Sequence, residues 1–253
     1  MLTDRSFRTL ASGLACALVP ALAPLPALAQ DTCSCTSQTL PARWSVFGSI
    51  GAATLETTQI NALLGSAGYF AVSNDAVGAG AGGFFSFGPL RLGAEHVRLD
   101  GGSESTPAGL SARAEAQYTA LTVGWDLRPR GRLSVAPMLA VGRGSYILAV
   151  GDRNGGPTAP ASPPPTFDEI INAPGRSSEI RGAQWVFEPA LALDLLVLRR
   201  ASDHRGITVG LRAGYRLAPN RPDWEYRGTA VAGGPIDQAK GPVLRLTFGV
   251  GGR

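Results

Sequence analysis

Few side chains in this sequence could do acid–base or nucleophilic chemistry, and they are poorly grouped. There are two histidines, His96 and His204, and three cysteines, Cys16, Cys33 and Cys35. An enzyme hydrolysing or transferring lipid acyl groups needs a nucleophile within reach of a base. His96, with Glu95 before it and Ser103 and Ser105 after it, offers those residue types. Neighbours on a strand point to opposite faces, however, so this spacing makes no triad and no catalytic residue is assigned. Cys33-Ser-Cys35 could pair within itself, pair with another chain, or stay idle on a tether. A metal site would need more ligands than these, so neither a metal nor a cofactor is expected.

A different set of charges lies at strand spacing. In Leu244-Arg-Leu-Thr-Phe248 the apolar residues alternate with Arg245 and Thr247, which gives one apolar and one polar face. The pattern recurs in eight stretches: from Arg43, then about 75–87, 90–100, 114–127, 132–150, 181–198, 206–217 and 241–252. Leu, Val, Ile and aromatic residues fill one face. Gly, Ala, Ser and Thr fill the other, with Arg91, Glu95, Asp126, Glu188, Asp194, Arg212, Arg216 and Arg245 among them. Four positive and four negative charges on small-residue faces suggest a balanced network inside a closed sheet, since an unpaired buried charge costs several kcal/mol. The first stretch alternates weakly, because Phe47 falls among the small residues. Between the first two, Ile60, Leu63 and Leu64 recur at helical spacing. Thr57 or Thr58 is a candidate cap there, and Gly65 and Gly68 are candidate stops. This is a short helix in the first loop.

Connections after the second, fourth and sixth strands are short: Gly88-Pro89, 128–131 and 199–205. The others are long, and 151–178, with Pro163-Pro164-Pro165, reads as a mobile exposed loop. Short turns on one rim and long loops on the other are the build of a membrane-spanning barrel. Closure leaves no unpaired sheet edge. Trp44, Trp125, Trp185 and Tyr215 fall near strand ends, where interfacial aromatics belong.

The start of the chain reads as export machinery. Arg5 and Arg8 precede an apolar run from about Leu10, and Ala27-Leu28-Ala29 is a cleavage signal. Pro20, Pro24 and Pro26 argue against a spanning helix. Residues 1–29 are thus expected as signal peptide, 30–42 as a flexible lead and 43–252 as barrel. The net charge of +4 is carried almost wholly by scattered Arg, with Lys240 the one lysine. This pattern forms no nucleic-acid patch.

The chain resembles the small eight-stranded outer-membrane barrels of the OmpA and OmpX type, on its alternating strands, its alternating loop lengths and its closing Leu244–Phe248 strand. That resemblance implies an all-β, eight-stranded, antiparallel up-and-down transmembrane β-barrel. It also implies the cell outer membrane of a Gram-negative-type bacterium as location. The partners it implies are outer-membrane lipids and the barrel-assembly machinery, with a surface partner met through loops 151–178 and 218–240. Family barrels usually end on an aromatic; here five residues follow Phe248. Envelope structure or surface interaction with a plugged lumen is the expected role. The alternatives are a lipid-modifying enzyme, a soluble barrel with its apolar face turned inward on a ligand, and a narrow pore.

Overall fold

The computed structural model describes residues 43–127, 132–156, 165–199 and 206–252. The expected signal peptide and lead, with Cys33 and Cys35, lie outside them, as do the turn at 128–131, most of the turn at 199–205 and much of the proline run.

Within the described residues the antiparallel strands are β1 (Arg43–Thr54), β2 (Asp75–Phe87), β3 (Leu90–Ser105), β4 (Leu110–Trp125), β5 (Leu133–Asp152), β6 (Ser178–Arg199), β7 (Gly206–Arg216) and β10 (Gly241–Gly252). Each pairs with the next, and β10 pairs with both β7 and β1, so the sheet closes into a ring of eight. The chain is therefore all-β with up-and-down connectivity. β2, β4 and β6 all end at the rim where β1 begins, which puts their following connections there. At one of them Gly88 takes φ 62°, a left-handed value that its lack of Cβ permits.

The register fixes the tilt. Neighbours followed from Trp185 on β6 through Arg143, Thr119, His96, Ala81, Gly48, Phe248 and Val209 return to β6 at Leu195, ten residues lower. A stagger of ten over eight strands sets a tilt of about 40°. Each residue up a strand then climbs about 2.5 Å along the barrel axis, and each step along that row from β6 towards β3 drops about 3 Å. On this scale the outward apolar side chains run from Leu133, Phe87 and Ile207 at the lower rim to Leu217, Val77 and Trp185 above. That span is about 25 Å, the height of a lipid-facing band. Leu121 and Val77, at 73% and 72% exposure, are among its most open members.

The strands extend beyond the sequence-based limits on the long-loop side. β3 and β4 run on past the expected limits of 90–100 and 114–127 to a turn at 106–109; Leu99, Ala112 and Ala114 point inward there and are buried. The upper part of β6 leaves β7 and pairs with β8 (Asp223–Tyr226), which forms a hairpin with β9 (Thr229–Ala230). Arg227 and Gly228 both have positive φ, the requirement of the two-residue turn that matches strand twist. Loop 151–178 is not simply an exposed loop. It carries α2 (Phe167–Asn172), with Thr166 and Glu169 forming a capping box and Phe167, Ile170 and Ile171 buried.

α1 (Thr58–Ser66) turns Ile60 and Leu64 into the same cluster as Tyr146, Leu148, Phe167, Ile171, Trp224 and Tyr226. Apolar residues from three loops and from the upper inner faces of β3–β6 thus build one core above the charged half of the barrel. Gly182 leaves room for it, since a Cβ there would meet the Trp224 ring at 3.1 Å.

The lower interior is tight. A Cβ on Gly82 would lie 2.6 Å from the Ala94 carbonyl oxygen and 2.7 Å from the Phe47 ring. Gly82→Val should therefore destabilise the barrel by about 1–3 kcal/mol, measured as a lowered urea midpoint in detergent or lipid.

Candidate functional site: the charged interior and its cap

Alternation puts every second residue of each strand inside, and all eight charged residues singled out from the sequence stand on that inner face. β3 contributes Arg91 and Glu95, β6 Glu188 and Asp194, β7 Arg212 and Arg216, and β10 Arg245; Asp126 follows β4. The structure joins them in two groups. Nearer the lower rim, Arg91 bonds Asp194 at 2.5 Å and Asp126 at 3.0 Å, and also donates to the Ser134 hydroxyl. Higher up, Glu95 accepts from Arg212 at 2.6 Å and Arg245 at 3.2 Å. Arg245 also reaches Glu188, which accepts from Arg216 at 3.4 Å and from the Tyr118 hydroxyl at 2.8 Å. Among these eight residues, the lower group sets one cation against two carboxylates and the upper sets three against two.

Inward aromatic rings complete the arrangement. The guanidinium of Arg91 lies 4.9 Å from the Phe84 ring centre, that of Arg212 4.4 Å from Phe47 and that of Arg216 4.8 Å from Tyr118. A cation over a ring face is attracted by the ring's quadrupole, more strongly where water is excluded. This explains Phe47, whose place among small residues blurred the first strand's alternation. Arg216 is fully buried. Its terminal nitrogens have no hydrogen-bond partner among the described residues, and the Tyr118 face lies beside them. The sequence signal for these stacks was present, since Phe47, Phe84 and Tyr118 are the large residues on otherwise small inner faces.

The four aromatics expected at the interfaces fall on the outer face, all exposed. Trp44 and Trp125 sit towards the lower rim, Trp185 and Tyr215 towards the upper. His96 also points outward, and its Nδ1 lies 2.9 Å from the Thr119 hydroxyl. Ser103 and Ser105 lie farther up β3, beyond a register shift, and pair with β4 at Arg113 and Ser111. The structure does not bring them to His96.

The cap has a joint that the sequence did not announce. Thr57 makes no side-chain cap on α1. Asp237, 177 residues away, accepts from the Ile60 backbone N–H at 2.6 Å instead. Around it, Gln59 accepts from the Ile236 N–H, Glu56 N–H donates to the Gln238 carbonyl, and Lys240 pairs with Glu56 at 2.9 Å. The loop between β7 and β10 thereby grips the start of α1. Burial pushes the Asp237 carboxyl up, against the opposing pull of the Ile60 and Gln59 backbone N–H groups. The Tyr69 phenol, which donates to the Ile171 carbonyl, is pushed up to about 12, mainly by burial and further by Asp152.

No family model matches the sequence, and no curated protein matches it. Several solved structures do. Ail, the attachment invasion locus protein of Yersinia pestis, in complex with the heparin analogue sucrose octasulfate, aligns at TM-score 0.44 and 7% identity, covering 83% of this chain and 97% of that one. Neisserial surface protein A aligns at 0.43 and 9%, covering 84% and 99%. A major outer membrane protein from Thermus thermophilus aligns at 0.47 and 10%, covering 84% and 99%. The chain is an eight-stranded barrel, and it resembles these proteins in fold.

Two outcomes follow. Glu188→Ala removes the carboxylate shared by Arg216 and Arg245 and should cost about 3–5 kcal/mol, seen as a lowered unfolding midpoint. Asp237 has a folded pKa above its unfolded one, so its contribution is full below the unfolded pKa and is lost as pH rises through the folded one. The amide-exchange protection factor of Ile60 should therefore fall over that window in the native chain. In Asp237→Asn, which keeps an oxygen acceptor, it should stay flat.

Proposed function

We propose that this chain is an integral barrel of a bacterial outer membrane, with a closed lumen and a structural or surface-interaction role exercised through its capped loops. The outward apolar band of about 25 Å carries the reading. A soluble barrel would have to hold Leu121, Val77, Phe85 and Ile50 in water, all more than half exposed. Such a contiguous apolar surface is a liability outside lipid. The ligand-holding soluble barrel is also disfavoured because the lower interior is ionic.

A closed lumen is supported by the paired charges below and the apolar core above. Glu188 and Arg216 are only 1% and 0% exposed. The surface role rests on the cap: the hairpin leaves Asp223, Glu225 and Arg227 exposed, while Trp224 and Tyr226 anchor it from beneath. A rigid platform with changeable polar tips suits partner binding. Export by an N-terminal signal, handling by the barrel-assembly machinery and the absence of catalysis belong to the same reading.

Membrane fractionation should recover the protein only with detergent, and the folded form should run differently from the boiled one on a gel. A fully soluble species would refute the proposal. Planar-bilayer recording should show no steady unitary current, and a reproducible conductance step would rule out the closed lumen.

A further inference from the structure

The lipid-facing band is not level around the barrel. On the axial scale set by the tilt, Phe187, Ala52, Pro242 and Val77 occupy its upper edge on β6, β1, β10 and β2. On β3 to β5 the same heights hold Arg98, Thr119 and Arg143, with His96 about 5 Å lower. Directly below, Ala94, Leu121 and Val141 are apolar; directly above, Gln117 and Ser145 are polar. A polar notch therefore cuts into the apolar band on three adjacent strands.

The charges in the notch are unequally placed. Arg98 bonds Glu115 at 2.6 Å, Glu115 also accepts from Arg113, and Arg113 pairs with Asp100, so this chain of four is neutral. His96 is held to Thr119. The Arg143 side chain is exposed and makes no hydrogen bond or ion pair among the described residues. It faces outward beside Trp185, its cross-strand neighbour and an exposed aromatic. A guanidinium at this depth lowers its energy by meeting a phosphate, and its planar fork suits one.

We propose that the notch on β3 to β5 is a binding site for the phosphate of an anionic lipid in the leaflet nearest the loops. Arg143 supplies the charge, and Gln117, Ser145 and the free face of Arg98 supply further donors. The lipid's chains lie on Leu121, Val141 and Leu139. The inference rests on the membrane reading above, and the test separates the two.

The protein with Trp44→Phe and Trp125→Phe retains Trp185 at the notch and Trp224 buried in the cap. It is reconstituted in phosphatidylcholine vesicles containing an equal small fraction of either bromine-labelled phosphatidylglycerol or bromine-labelled phosphatidylcholine. Contact with bromine quenches tryptophan emission. The anionic lipid should quench more strongly, equivalent to about fivefold local enrichment, with the excess shrinking in high salt. Arg143→Ala should abolish the excess and Arg143→Lys should keep most of it, both variants retaining the heat-dependent gel shift. Equal quenching by the two lipids, or an excess unchanged in Arg143→Ala, would overturn the site while leaving the membrane barrel standing. Quenching by neither would overturn both.

Discussion

In a closed ring of strands, side chains have two places to go. Parity along each strand sends one set to the environment and the other to an interior that neighbouring strands have already walled off. Among the charges that go inside this barrel are Arg91, Arg212, Arg216 and Arg245 and the carboxylates of Glu95, Asp126, Glu188 and Asp194. There, each charge left without a partner would weigh against folding by several kcal/mol. The pairings join β3, β6, β7 and β10 across the lumen. A one-residue slip in any of these strands would move its charges outward and its leucines inward. The network therefore specifies register as much as it supplies stability.

The interior has two chemistries stacked along the axis. Ionic pairs fill the lower half, with Arg91, Arg212 and Arg216 each lying over an aromatic face. Above them α1, α2 and the β8–β9 hairpin deliver an apolar core that the strands alone do not supply. Gly82 and Gly182 mark where bulk from a neighbour must pass. The parts of the cap are tied to one another by polar contacts of long sequence separation, above all Asp237 at the start of α1. The cap's opening can accordingly differ in energy from that of the ring beneath it.

Much of the ring was readable from the sequence, because period two is a strong signal and glycine-rich inner faces reinforce it. β2 and β7 needed almost no adjustment. The inner charges were readable for the same reason: Arg245 between Leu244 and Leu246 has only one face to occupy. The pairings were not, since Glu95 meets Arg212 and Arg245 only once the stagger is known. The cap was read less well. Thr166-Phe-Asp-Glu169 followed by Ile170-Ile171 is a capping-box signature, but proline and glycine around it suggest an irregular loop. The Asp223–Tyr226 strand is too short for alternation to distinguish it from a polar loop, and Asp237 as a cap depends wholly on tertiary approach.

In the barrel proposed above, apolar side chains face lipid while their strand neighbours face one another. Spin labels at Leu246 and Thr247 in reconstituted protein test it most directly, by comparing collisions with oxygen, which concentrates in lipid, and with a water-soluble nickel chelate. The label at 246 should collide chiefly with oxygen, and the label at 247 should be shielded from both. A label at 246 open to the nickel chelate, with the one at 247 open to oxygen, would contradict it.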